Sequence, residues 1–118
     1  MELPLPATVL VGLGGALGAV LRWSVGEAIR VEGYPASTLA VNVLGTFALA
    51  ALTFAAVGED AMLLFGTGAC GAFTTFSSFS VDVVGLVEND RYGTAALHAL
   101  GNLVGAGAAI GLAWLLVG

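Results

Sequence analysis

Four long stretches without a charged side chain dominate the sequence: residues 3–21, 33–58, 61–81 and 92–118. Each reaches or exceeds the roughly 18 apolar residues that read as a membrane-spanning helix. Of the 118 residues only 9% are charged and 58% are hydrophobic, whereas soluble domains carry about 25% charged residues. A soluble fold is excluded, and no part outside the membrane is large enough for a nucleotide site, a Rossmann fold or a catalytic cleft. The expectation is an all-α integral membrane protein, one domain over 1–118 with helices at about 5–29, 36–57, 61–87 and 93–117, and neither an enzyme nor a nucleic-acid binder. No basic leader segment precedes the first run, so it is expected to be a mature helix.

Gly33 and Pro35 punctuate the first connection, Gly58-Glu59-Asp60 the second and Glu88-Asn89-Asp90-Arg91 the third. With four spans, the first and third connections share one side, and they carry Arg30 and Arg91. That small excess favours a cytoplasmic location for this side. The net charge is −5 and lysine is absent, which fits a salt-rich habitat better than a surface for anionic lipids. Cys70 is the only cysteine, so neither an internal disulfide nor a thiolate cluster is expected.

Glycines mark where helices approach. Gly14, Gly18, Arg22 and Gly26 recur every four residues, and the fourth run contains Gly101-x-x-x-Gly105 and Gly107-x-x-x-Gly111. All are read as close-packing positions. Arg22 lies within the first run and needs a partner, water or a route to the interface. Asp82, at similar depth in the third run, is its expected partner, and the pair would shape a vestibule.

The third run is the most informative. Residues 61–87 exceed the roughly 20 that a straight helix needs, and the centre reads Gly71-Ala72-Phe73-Thr74-Thr75-Phe76-Ser77-Ser78-Phe79-Ser80. A helix broken near mid-membrane, with Gly71 and Thr74 flanking the break, fits this hydroxyl-rich pattern. A continuous helix whose hydroxyls bond back to its own carbonyls is the alternative. Backbone freed at that depth must be buried in protein, line an aqueous path or bind an ion. Phe73, Phe76 and Phe79 repeat every three residues as a packing stripe would. Interleaved with hydroxyls, however, their positive ring edges suit a passage for a small anion. Thr38, Asn42, Thr46 and Thr53 put donors near one face of the second helix, beside Gly45. His98 and Asn102 lie one turn apart in the fourth, and no second His or Cys supports a metal site there.

Residues 71–80, preceded by Cys70, closely resemble the signature of the CrcB/Fluc fluoride channels. So do Gly14-Gly15-Ala16-Leu17-Gly18-Ala19-Val20-Leu21-Arg22 and Thr38-Leu39-Ala40-Val41-Asn42-Val43-Leu44-Gly45-Thr46, in the same order. The resemblance covers essentially the whole chain; Ser78 stands where many members have Thr and Ala72 where many have Gly. It implies an antiparallel, dual-topology dimer in a prokaryotic plasma membrane, with two pores passing fluoride passively and so protecting the cell from fluoride toxicity. Carried over, Phe76, Phe79, Asn42, Ser77 and Ser80 line the fluoride pore and Arg22 the vestibule. The same resemblance implies that the carbonyls of Gly71 and Thr74 hold a central structural sodium ion (Na+). A homodimer is implied, with a heterodimer of inverted relatives as the alternative. A small multidrug transporter shares the size but needs a membrane carboxylate in its first helix, and a non-transporting assembly subunit would leave the mid-membrane break without a purpose.

Overall fold

The computed structural model describes residues 5–118. Four helices are long and apolar enough to cross a membrane: α1 (Ala7–Ala28), α2 (Ala36–Phe54), α3 (Glu59–Glu88) and α4 (Tyr92–Val117). Large side chains such as Leu13, Leu103 and Leu115 lie open on their outer faces. In water such a surface would drive aggregation; in a bilayer it meets acyl chains.

Helix ends follow local chemistry. Pro6 precedes α1 and Pro35 precedes α2; proline lacks an N–H that a first turn would leave unpaired anyway. α2 stops at Phe54, three residues before the expected end at 57, because Ala56 takes a left-handed φ of 53° that no helix can continue through. α3 begins at Glu59 rather than 61, since two acidic residues in a first turn interact favourably with the positive end of the helix dipole. Gly33 (φ 81°) makes the turn between Val31 and Tyr34, which form a short antiparallel bridge. The Arg91 guanidinium lies against Gly33, so the first and third connections share one end of the bundle, as the even helix count requires.

The expected break in α3 is present. Thr74 is extended (φ −82°, ψ 161°), and a new helical stretch, Ser77–Glu88, follows. The lower half contains a feature without a sequence expectation: Met62–Cys70 runs in the wider i→i+5 hydrogen-bond pattern, a π-helical geometry that is rare and recurs at functional sites.

Packing explains the glycines unevenly. α1 lies along residues 62–73 of α3, α2 along α4, and the upper half of α3 along α4. A methyl group at Gly14 would strike the Leu64 carbonyl and one at Gly18 the Ala69 carbonyl, and Gly68 faces the Val11 carbonyl in return. Here backbone meets backbone. In α4, Gly105 receives Val43 of α2, but Gly107 and Gly111, like Gly26 in α1, have no neighbour within 4 Å. Close packing within the chain is therefore corrected for those three. The molecule measures 52 × 29 × 21 Å, and its thin dimension matches two helix diameters of about 10 Å.

Candidate functional site

The break in α3 is clamped by one side chain from α2. Asn42 Oδ1 accepts the Thr75 N–H at 2.8 Å, and Asn42 Nδ2 donates to the Thr75 carbonyl at 3.0 Å. One amide thus satisfies both halves of a peptide unit released by the loss of helix. The second Nδ2 hydrogen goes to Asn102 Oδ1 on α4 at 3.0 Å, so both Asn42 donors are committed. Thr75, itself buried, uses its Oγ1 to accept the Ser78 N–H at 3.1 Å, which starts the upper helix. Gly45 makes room for this seat: a methyl there would strike Thr74 and Phe73.

Two consequences fall on the residues flanking the break. In an unbroken helix the Thr75 N–H would bond the Gly71 carbonyl, and the Ser78 N–H would bond that of Thr74. Both donors are turned elsewhere. The site therefore contains two neutral oxygens released from helical pairing, close together in the chain.

Beside the clamp runs a groove of about 640 Å³ lined by residues from α2, both halves of α3 and α4, including Asn42, Thr67, Gly71, Thr74, Phe76, Phe79 and Asn102. Phe76 and Phe79 stand 6.0 Å apart between ring centroids, tilted by 42°. The break separates them from Phe73, which faces a neighbouring apolar groove with Leu17, Leu44 and Phe65. The triplet repeat is thus divided between two environments, because it spans a change in backbone direction.

Of the remaining expected residues Thr46 also lines this groove, whereas Ser77, Ser80, Thr38, Thr53 and Arg22 do not. Ser77 Oγ contacts Thr75 Oγ1 at 3.3 Å, and Ser80 Oγ donates back to the Phe76 carbonyl at 3.0 Å. Thr46 and Thr53 likewise bond carbonyls of their own helix, Asn42 and Leu49. Thr38 is buried beside Arg22, Ser37, Thr75 and Ser78 around a shallow cavity of about 380 Å³. Arg22 opens onto that cavity and does not pair with Asp82; the expected pair is corrected. Asp82 faces α4 instead, its Oδ2 lying 3.5 Å from His98 Nε2. Similar depth along the two helices favours the pairing, but the rotation of each helix about its axis decides which side chains meet.

His98 is the residue whose importance the sequence understated. It is fully buried at 0% exposure, between the Tyr34 ring edge-on at 5.5 Å and the tilted Phe79 ring at 5.3 Å. Asn102 Nδ2 reaches its Nδ1 at 3.3 Å and its carbonyl at 2.8 Å. The four-residue spacing of His98 and Asn102 was a visible signal; their link to Asn42 and Asp82 was not.

Residues 9–115 match the CrcB-like (camphor resistance, CrcB) family. The chain is 70% identical over 112 residues to fluoride-specific ion channel FluC 1 of Halobacterium salinarum, covering 95% of this chain and 94% of that protein. It is 58% identical over 108 residues to FluC 2 of Haloarcula marismortui (92% and 91% covered) and 42% identical over 103 residues to FluC of Thermus thermophilus (80% and 82%). With four spans, a bent third helix and a match along nearly its full length, the chain belongs to the CrcB-like family.

Proposed function

We propose that the protein is a fluoride-selective channel of the plasma membrane that lets fluoride leave the cell passively and so protects it from fluoride toxicity. The observation that carries this is the groove at the break, where two phenylalanine rings stand beside backbone held open by Asn42. The names of the relatives supply the ion. Phenyl edges are weakly positive, so Phe76 and Phe79 offer an anion attraction without a full charge that would trap it. Arriving fluoride competes with the Thr75 carbonyl and Asn102 for the Asn42 hydrogens, with Ser77 and Ser80 hydroxyls nearby and Arg22 drawing anions toward the vestibule. Inside-negative potential drives the anion outward at about 2.3 kcal/mol per 100 mV, so no energy-coupling site is needed.

The working unit is an antiparallel dimer with two pores, a homodimer in the simplest case. Phe76 is 80% exposed in the single chain, and Gly107 and Gly111 have open space before them; a second, inverted copy would cover such surfaces. In that arrangement the two mid-membrane breaks meet on the two-fold axis, and the Gly71 and Thr74 carbonyls of both copies would hold one sodium ion. The released carbonyls fit a hard monovalent cation, which would pin the breaks together and take no part in moving fluoride.

Fluoride release from liposomes holding the purified protein, followed with a fluoride electrode in the presence of a potassium ionophore, tests the reading, with chloride release as control. Fast fluoride release without chloride is expected. No release from folded dimer would replace the channel with an assembly subunit or with one half of a heterodimer.

A further inference from the structure

The hydrogen bonds at the break carry a direction that can be followed across the bundle. A peptide N–H only donates and a peptide carbonyl only accepts. Thr75 therefore dictates which way the Asn42 amide faces: Oδ1 toward the N–H at 2.8 Å, Nδ2 toward the carbonyl at 3.0 Å. The remaining Nδ2 hydrogen requires an acceptor, so Asn102 presents Oδ1 at 3.0 Å. Asn102 must then turn its own Nδ2 toward His98, where it meets the carbonyl at 2.8 Å and ring Nδ1 at 3.3 Å. An amide nitrogen offers hydrogens and no usable lone pair. His98 Nδ1 is consequently bare, and the ring proton sits on Nε2, which lies 3.5 Å from Asp82 Oδ2. Neither of those two atoms has a hydrogen-bonding partner among the described residues, so their 3.5 Å approach is a contact of two buried polar groups and not a formed hydrogen bond.

We propose that His98 is a positioning residue for the anion path, held as the Nε2–H tautomer, whose bare Nδ1 accepts from Asn102 and so anchors the far end of the amide chain that Thr75 orients, and with it the shape of the break. Its ring also backs Phe79 at 5.3 Å, so the same side chain supports one of the two pore phenyl groups. The inference rests on the channel reading for its functional part; the tautomer follows from the hydrogen bonds alone. The groups that face the ring are Asp82 from α3 and Tyr34 from the first connection, with Arg91 lining the same outer cavity as Asp82.

The chain contains one histidine, so protein labelled with 15N-histidine and reconstituted in bilayers yields a single pair of ring-nitrogen NMR signals at neutral pH. A protonated Nε2 with an unprotonated Nδ1 is expected; an Nδ1–H tautomer or an imidazolium would overturn the proposal. Asn102→Asp is nearly isosteric but accepts on both oxygens, so it should move the ring proton to Nδ1, and unchanged signals would break the coupling. In liposomes, His98→Asn retains an acceptor near the Nδ1 position but not the ring behind Phe79, so it should keep clearly more fluoride flux than His98→Leu, which lacks both and should lose about tenfold. Equal flux from the two variants would refute the positioning role. Wild-type protein without fluoride flux but with the expected tautomer would instead overturn the channel reading, so the two failures are distinguishable.

Discussion

At the residue scale the chemistry of the site depends on a few side chains whose partners are now defined. Replacing Phe76 or Phe79 with isoleucine keeps an apolar volume but removes the positive ring edge. Fluoride flux should fall by about tenfold or more, equivalent to roughly 1.4 kcal/mol in the barrier, while size-exclusion chromatography shows an unchanged assembly; unaltered flux would remove the edge-on role. Asn42→Ala strips both partners from the Thr75 peptide, and each buried group left unpaired costs roughly 1–3 kcal/mol. A clearly lower midpoint in thermal or denaturant unfolding in detergent is expected, whereas Thr53→Ala, which loses only an exposed bond to its own helix, should leave it nearly unchanged. Asn42, Phe76 and Phe79 were legible because a polar amide and a hydroxyl-aromatic alternation are costly in a lipid-spanning run and so announce themselves. The contact of Asp82 with His98 was not legible. Both residues are visible as polar positions, but their meeting depends on how α3 and α4 are rotated toward each other.

At the element scale the long third run and its glycine-to-hydroxyl centre signalled the break, and the structure supplies the reason it holds: Asn42 and Thr75 take over the hydrogen bonds that the helix gives up. The π-helical stretch below it had no sequence signature. Its neighbours suggest the physical reason, since Gly14, Gly18 and Gly68 bring α1 against α3 so closely that backbone atoms of each helix contact the other. Gly14→Val should consequently force the two helices apart, a cost of several kcal/mol for overpacking against backbone that has no rotamer to yield. Loss of folded protein from detergent extracts is the expected result. Gly12→Ala, two residues away with nothing within 4 Å of the added methyl, should express and unfold like the wild type. A periodic glycine stripe does not distinguish these positions, since the period reports a face and only the neighbour tells whether that face is occupied.

At the scale of the whole molecule, the single chain is a slab two helices thick whose grooves open outward. The apolar groove of about 620 Å³ formed by Leu17, Leu44, Ala48, Phe65 and Phe73 is expected to be covered by the second copy. Multi-angle light scattering in detergent should give the mass of two chains, and Ala48→Trp, which fills that groove, should shift the protein toward the mass of one; a dimer undisturbed by the substitution would place the contact elsewhere. The amino-acid sequence by itself determined the membrane setting, the four spans, the connections and the break, because each depends on local quantities: length of apolar run, turn residues, and the cost of hydroxyls in lipid. Only the tertiary structure decided that Asn42 bridges to Asn102, that Asp82 turns to His98 rather than Arg22, and which glycines touch another helix. Those outcomes depend on the axial rotation and register of packed helices, set jointly by side chains far apart in the chain, which no single window of sequence contains.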